Sequence, residues 1–355
     1  LTKYAGKHTW TGGVNYEKYQ SNNLFFPASN GVYIFSSLQS FYAAANESLA
    51  NGGKPSVTNL PTRFQYRYSA LPGAVDPMQV LKTQRIDIYG QDEYQATNKL
   101  KLTLGLRAAV IDIEPTSLEN PAVTAMTFAN GEKLNTSTMP TTQVLWEPRF
   151  GFNYDVFGDK KTQLRGGSGV FTGRPPYVFI SNQVGNNGVL TGYIDSDNKG
   201  ASKYGFTANP GQYYIPSTPT LPSTFDLAFT NENYKFPQVW RTNLGLDHKY
   251  DNGLILTADV SYTKDMNGAH VQNWGLTTPS GTLAGVDNRE YYLADDLINN
   301  AYVFTNSDKG RTFNATFKGQ KSFENGLYTM LAYNYLNSKD VNSIYWNPAG
   351  LTNVD

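Results

Sequence analysis

The fold is decided by the stretch Lys99-Leu100-Lys101-Leu102-Thr103-Leu104-Gly105-Leu106-Arg107-Ala108-Ala109-Val110. Apolar side chains occupy its even positions, whereas Lys, Thr, Gly and Arg occupy the odd positions up to Arg107. Because successive side chains of a β-strand point to opposite faces, this alternation predicts a strand with one apolar and one polar face. The segments 240–250 and 254–264 repeat the pattern, with Ile255 as an apolar residue on the polar side.

The same alternation predicts nine long strands, and the connections between them fall into two length classes. The strands are expected near 8–20, 81–95, 99–112, 143–154, 162–173, 238–249, 254–266, 310–322 and 327–337. The short connections lie at 96–98, 155–161, 251–253 and 324–326, and the long ones at 21–80, 113–142, 174–237 and 267–309. Short and long connections alternate strictly, as they do in transmembrane barrels with short periplasmic turns and long external loops.

Strand length and aromatic placement separate this fold from a soluble one. A propeller or sandwich also has alternating strands, but its strands are typically about 5–6 residues long, whereas these run to about 11–14. Tyr and Trp recur at the strand ends, for example Trp10, Tyr94, Trp146, Trp240 and Tyr333, where the aromatic girdles of a membrane barrel lie. We therefore predict an all-β, transmembrane, antiparallel up-and-down barrel.

Composition narrows the possible functions. Among 355 residues, 14% are aromatic and 16% are charged, below the roughly 25% charged residues of soluble domains. Lys+Arg and Asp+Glu are equal at 29 each, so the chain lacks the one-signed charge of a nucleic-acid binder. The absence of Cys excludes disulfides and thiolate metal sites, and no apolar run reaches the ~18 residues of a membrane helix. The first residues include no starting Met or signal segment, so we expect a mature or internal piece.

Several motifs resemble the barrels of TonB-dependent outer-membrane receptors, mainly the Oar-like or carboxypeptidase-regulatory-like group and more distantly the SusC-like receptors. They are Gly6-Lys7-His8-Thr9-Trp10-Thr11-Gly12-Gly13, Ile88-Tyr89-Gly90-Gln91-Asp92-Glu93-Tyr94, Leu104-Gly105-Leu106-Arg107, Glu147-Pro148-Arg149-Phe150-Gly151-Phe152-Asn153-Tyr154, Leu164 to Pro176, and Tyr333 to Ser338. Their order and spacing carry the resemblance.

The resemblance implies energy-coupled uptake, with the inner-membrane TonB complex acting on a plug inside a barrel of about 22 strands. Nine strands cannot close such a barrel, so residues 1–355 are expected to be part of a single barrel domain whose plug and remaining strands are absent from this chain. A structural or adhesive barrel that docks a surface lipoprotein or secretion partner is the second hypothesis. A soluble secreted all-β binding protein is the third.

Strand parity assigns the charged side chains to a lumen. Arg107, Glu147, Arg149, Arg165 and Arg241 fall on the polar faces, where they would meet a plug or water. The apolar faces, with Leu102, Leu104, Leu256 and Val260 as examples, would meet lipid. A charge on the lipid face near the midplane would cost about 2–4 kcal/mol, which favours this orientation.

The long external loops hold the candidates for ligand or partner contact. Their amide and aromatic residues are Phe179, Asn182, Gln183, Asn186, Asn187, Tyr213, Tyr214 and Trp274, although ordinary loop surface has the same composition. The three histidines, His8, His248 and His270, are far apart in sequence, and we predict no metal site, no cofactor and no catalytic residue. The chain is not expected to be an enzyme.

Overall fold

The computed structural model describes residues 1–197, 204–214, 225–275, 279–286, 288–292 and 298–341. Its strands are β1 (Thr2–Ala5), β2 (His8–Asn23), β3 (Val32–Ile34), β4 (Arg63–Ser69), β5 (Gln79–Gln95), β6 (Leu100–Ile113), β7 (Gln143–Asp155), β8 (Thr162–Thr172), β9 (Thr191–Asp197), β10 (Phe225–Thr230), β11 (Gln238–Lys249), β12 (Leu254–Asp265), β13 (Gly268–Asn273), β14 (Gly281–Thr282), β15 (Glu290–Tyr291), β16 (Ile298–Ser307), β17 (Arg311–Ser322) and β18 (Tyr328–Lys339). The α-helices are α1 (Leu38–Ala50), α2 (Pro121–Thr124) and α3 (Tyr177–Gly185). No helix within these ranges is long and apolar enough to cross a membrane.

Ten strands form one antiparallel sheet in the order β1-β2-β5-β6-β7-β8-β11-β12-β17-β18. Nine of them are the predicted strands, and their consecutive pairing is that of an up-and-down meander. All nine predicted long strands are present, and the sheet also contains β1, a strand of four residues that was not predicted. Four residues are too few for a period-two pattern to reveal a strand. Gly253 and Gly326, in two of the short turns, have φ of +80° and +85°, as the Asn-Gly sequences predict.

The register of this sheet is regular, so each face can be followed from strand to strand. One row reads Lys3, Trp10, Asp92, Leu104, Phe150, Ser168, Thr242, Tyr262, Phe313 and Asn337. We call this the outer face, and Leu104 and Leu256 on it are 56% and 42% exposed. The neighbouring row, on the inner face, contains Arg149 and Arg241, both paired with Gly169.

The long connections are folded rather than irregular. Residues 113–142, α3, β10, residues 231–237, β13 and β16 form what we call the loop layer, which includes the three-stranded sheet β10-β16-β13. Loop-layer side chains such as Ile180, Phe236 and Phe304 pack against Ile111 and Leu145 of the barrel wall, and all five are at most 3% exposed. The inner face, expected to be polar, is therefore apolar near the long loops because the loop layer covers it there.

A second folded unit, the aromatic module, consists of α1, the sheet β3-β4-β9 and residues 204–214. Phe64 is fully buried at its centre, with the rings of Tyr33 and Tyr213 at centroid distances of 4.7 and 5.1 Å. Because β4 and β9 come from different long connections, their pairing ties two external loops into one structure. Ser37 caps α1 by accepting a hydrogen bond from the Ser40 amide at 3.1 Å.

Candidate functional site

Five charged side chains meet on the inner face, just below the loop layer. Asp87 accepts hydrogen bonds from Arg85 Nε at 2.9 Å and from Arg107 Nη2 at 2.7 Å. Glu147 Oε1 lies 3.7 Å from Arg85 Nη2 and 3.8 Å from Arg107 Nε. The other Glu147 oxygen lies 3.8 Å from Arg149 Nη2. We call this cluster the inner charge network, and three arginines against two carboxylates give it a formal charge of +1.

Because this network is buried, its charges would lower the stability of the fold if they were not paired. Asp87 and Glu147 are 1% and 3% exposed, and a buried carboxylate that loses its partner is strongly destabilising. Asn15 also donates to Asp87, at 3.1 Å. Glu147 Oε1 and Arg107 Nε, however, are buried without a hydrogen-bond partner among the described residues. These two atoms lie 3.8 Å from each other, so they form an ion pair without a hydrogen bond.

A second ion cluster lies on the inner face nearer the short turns. Arg165 bridges two carboxylates, with Nε 2.8 Å from Asp247 and Nη2 2.8 Å from Asp259. Thr257 donates to the other oxygen of Asp247 at 2.7 Å. Arg241 stands apart and donates from Nε to Thr263 Oγ1 at 3.0 Å. These side chains line the same face as the inner charge network.

All the side chains predicted to face the lumen lie on the inner face, although they do not form one cluster. Arg107, Glu147 and Arg149 meet in the inner charge network, whereas Arg165 and Arg241 do not join it. Sequence reasoning missed Arg85 and Asp87. Strand parity could have found both, because they alternate with the outer-face residues of β5.

Two predicted ligand residues prove to be structural. Gln183 is fully buried, donates to Thr138 O at 2.6 Å and accepts from the Thr230 amide at 2.7 Å. Asn187 is also fully buried and accepts from the Val189 amide at 2.8 Å. Their assignment to an accessible loop surface was therefore wrong. A folded loop must satisfy its buried backbone groups, and amide side chains do so here.

The remaining loop candidates divide by exposure. Phe179 packs edge-on against Phe304 at 5.4 Å, and Tyr213 and Tyr214 belong to the aromatic module, where burial raises the pKa of Tyr213 to about 12. Asn186 is the exposed one among these candidates, whereas Phe179, Asn182, Tyr213, Tyr214 and Trp274 are all half-buried. Trp274 Nε1 donates to Gln272 at 3.1 Å. Asn186 is therefore the predicted residue best placed to meet a ligand.

The aromatic module carries two arginines, Arg63 and Arg67, that sequence reasoning missed because β4 was not predicted. The Arg67 guanidinium lies 4.7 Å from the centre of the Tyr193 ring and donates from Nη1 to Thr191 at 3.0 Å. No carboxylate pairs with it among the described residues, and burial lowers the pKa of Arg67. Arg63, by contrast, forms a two-pronged pair with Asp195 at 2.7 and 2.6 Å. Arg67 is thus a half-buried cation of the aromatic module whose charge is balanced by no carboxylate of the described residues.

The described residues contain no group of three His, Cys, Asp or Glu side chains arranged to hold a metal ion. No curated protein matches the chain. Solved structures resemble it at low identity. The outer-membrane transporter YddB from Escherichia coli is 10% identical with a TM-score of 0.50, and the match covers 96% of this chain and 32% of YddB.

Two further structures align less closely. A mutant of the ferric enterobactin receptor PfeA from Pseudomonas aeruginosa is 13% identical with a TM-score of 0.47, over 93% of this chain and 32% of the receptor. The FrpB iron transporter from Neisseria meningitidis is 11% identical with a TM-score of 0.47, over 95% of this chain and 34% of the transporter. The chain thus spans about a third of the length of these proteins.

The family model of the outer membrane beta barrel domain matches residues 1–354, nearly the whole chain. This match confirms the predicted all-β membrane barrel, with its long external loops and short periplasmic turns, and the integral outer-membrane location. The resemblance to receptor barrels that the sequence motifs carry is confirmed at the level of the fold. The chain belongs to the outer membrane beta barrel domain family.

Proposed function

We propose that this chain forms part of the wall of a TonB-dependent receptor, which takes up a substrate captured by the external loops. The observation that carries the proposal is the inner charge network beneath the loop layer. Buried charges destabilise a wall unless they are paired, and a barrel that only docks a partner through its loops has no need of them. The Arg107 and Arg149 side chains of this network are 30% and 35% exposed, and such cations suit a lumen through which a polar group passes or in which a plug is held.

The proposal includes completion of the barrel by strands outside residues 1–355. The described sheet has edges at β1 and β18, and each unpaired backbone group in hydrocarbon costs several kcal/mol. We infer a barrel of about 22 strands, because the motifs resemble those of receptors of that size, and a plug that contacts Arg149 and Arg165. The inner-membrane TonB complex would act through that plug.

The test does not require the substrate to be known. Strains lacking this gene, or lacking TonB, are grown in complex medium, and the compounds left unconsumed are measured by mass spectrometry. The proposal expects the compounds left by the first strain to be among those left by the second. A mutant that alters adhesion or secretion but leaves no extra compound would support the structural alternative instead.

Complementation connects this uptake to the inner charge network. Glu147→Gln keeps the shape of the side chain but removes one of the two charges that balance Arg85 and Arg107. We expect it to restore uptake poorly at wild-type surface abundance. Glu93→Gln is the matched control, because Glu93 forms an exposed pair with Lys101 at 3.0 Å near the short turns. Equal rescue by both variants would contradict a role for the network.

A further inference from the structure

An apolar groove lies on the outer face and runs diagonally across the sheet, from the short-turn ends of β2 and β5 toward the long-loop ends of β8 and β11. It encloses about 930 Å³, and its lining includes Gly12, Gly90 and Pro148 as the floor and Trp10 and Trp240 as walls. Gly12 pairs with Gly90, so two adjacent strands lack side chains at the same level. A Cβ built on Gly90 would meet no atom within 4 Å. The groove is therefore open space facing the membrane.

Polar side chains lie at the end of this groove that is nearer the short turns. A lipid-facing surface normally has no such side chains. His8 Nδ1 lies 2.7 Å from Asp92 Oδ2, and the His8 ring stacks on Tyr94 at 4.5 Å. Asp92 is 9% exposed, and its Oδ1 has no hydrogen-bond partner among the described residues. Lys3 lies in the same row as Asp92, with Trp10 between them, and also lines the groove.

Asp92 is unusual among the acidic residues of the described sheet. The other carboxylate with outer-face parity is Asp112, which lies near the long loops and accepts a hydrogen bond from Thr142 at 2.6 Å. A carboxylate on the lipid face is unfavourable unless a cation or a donor accompanies it. The unpartnered oxygen of Asp92 therefore points to a donor supplied from outside the chain.

The depth of these residues identifies the leaflet. Asp92 is three residues from the end of β5, which at ~3.3 Å per residue and ~45° tilt puts it about 7 Å from the short-turn end. Gly90 is two residues deeper, still within the periplasmic half of an apolar band about 25 Å tall. The polar group thus lies at the headgroup level of the periplasmic leaflet, and the groove extends from it toward the midplane.

We propose that the groove binds one phosphatidylethanolamine molecule of the periplasmic leaflet. Its acyl chain lies over Gly12, Gly90 and Pro148, its ammonium donates to Asp92, and its phosphate pairs with Lys3. Charge complementarity selects this lipid, because a carboxylate and an ammonium on the protein match a headgroup that carries both signs. Phosphatidylglycerol has the phosphate but no ammonium for Asp92. The proposal does not depend on transport.

The acyl-chain half of the proposal is tested by filling the groove. The protein is purified from outer membranes and exchanged into detergent with equimolar phosphatidylethanolamine and phosphatidylglycerol, and bound lipid is counted by native mass spectrometry. We expect retained phosphatidylethanolamine in the wild type and about tenfold lower occupancy in Gly90→Leu. Ala315→Leu is the matched control, since Ala315 pairs with Val260 on the outer face and does not line the groove. Leu106→Trp supplies a second filling variant should Gly90→Leu fail to insert.

The headgroup half is tested by Asp92→Asn, which preserves the shape of the side chain. We expect the preference for phosphatidylethanolamine over phosphatidylglycerol to disappear while the lipid count stays the same. The proposal is overturned if the wild type shows no preference, if both filling variants retain lipid, or if Asp92→Asn keeps the preference. A filling variant that changes the oligomeric mass rather than the lipid count would also overturn it, because the groove would then hold a second copy or a partner protein.

Discussion

At the scale of single residues, alternate side chains of one strand meet different solvents. Leu104 on the outer face is 56% exposed and faces lipid, whereas its neighbour Thr103 faces the interior. Leu104→Arg should therefore lower the free energy of unfolding in lipid by about 2–4 kcal/mol, because a charge is then placed in hydrocarbon. A denaturant titration in liposomes measures this loss.

Thr103→Arg is the control for that substitution, since it adds the same side chain one residue away on the inner face. It should be tolerated far better, because Thr103 pairs with Glu93 and Gly151 on the inner face, which does not face lipid. Comparable losses for the two variants would contradict the assignment of the faces.

Glu47 gives a prediction about pH. Its carboxylate accepts hydrogen bonds from the amides of Val57 at 2.7 Å, Thr58 at 2.9 Å and Asn59 at 2.8 Å, and these bonds lower the pKa of Glu47 from 4.5 to about 2. Because the folded-state pKa is depressed, the stabilisation is present above pH 4.5 and is lost as the pH falls toward 2.

Hydrogen exchange, with rates corrected for their intrinsic pH dependence, should show the amides of residues 57–59 losing protection across that pH window. In Glu47→Gln, which lacks the titrating carboxylate, protection should be weaker at neutral pH and should not change over the same window. An unaltered pH response in the variant would assign the effect to another group.

At the scale of elements, periodicity predicted the long strands and missed what depends on tertiary contacts. The leucines of β6 alternate so regularly that the sequence predicted both the strand and the residues on each of its faces. The sequence also predicted the register, because a slip of one residue would turn every side chain to the opposite face. The short strand β4 and the helix α1 gave no such signal. Both are stabilised by burial in the aromatic module, a contact between segments far apart in sequence.

The residues of the candidate site show the same difference between what local sequence patterns predict and what depends on tertiary contacts. Parity was enough to assign Arg107 and Arg149 to the inner face, since it depends only on local geometry. Composition pointed to Gln183 and Asn187 as ligand residues, but the fold of the loops turned both inward. Whether a loop amide is exposed depends on how the loops pack against each other, and composition does not record that.

Topology is tested with single cysteines, which the chain naturally lacks. Asn186→Cys lies at the exposed end of α3 in the loop layer, and Asn252→Cys lies in the short turn between β11 and β12. On intact cells an impermeant maleimide should label the first and not the second, because only the long loops face outward. After outer-membrane permeabilisation both should react. Labelling of Asn252→Cys alone on intact cells would reverse the orientation.

At the scale of the whole molecule, the sheet separates two environments. The outer face carries leucine, aromatic residues and the groove over Gly90, whereas the inner face carries the inner charge network and, near the long loops, the apolar contacts of the loop layer. Both faces of one sheet therefore have partners, lipid on one side and the barrel interior on the other. The difference between the two faces explains both how the sheet sits in the membrane and why charged side chains line the interior.

A nitroxide scan of residues 102 to 107 in lipid bilayers tests that division most directly. Each position carries one spin label, and its collision rates with oxygen, which concentrates in hydrocarbon, and with a water-soluble nickel complex are compared. The account predicts a period of two, with oxygen favoured at Leu102, Leu104 and Leu106 and nickel favoured at the positions between them. Equal access of nickel to both sets, as on a soluble sheet, or an alternation of opposite phase would contradict it.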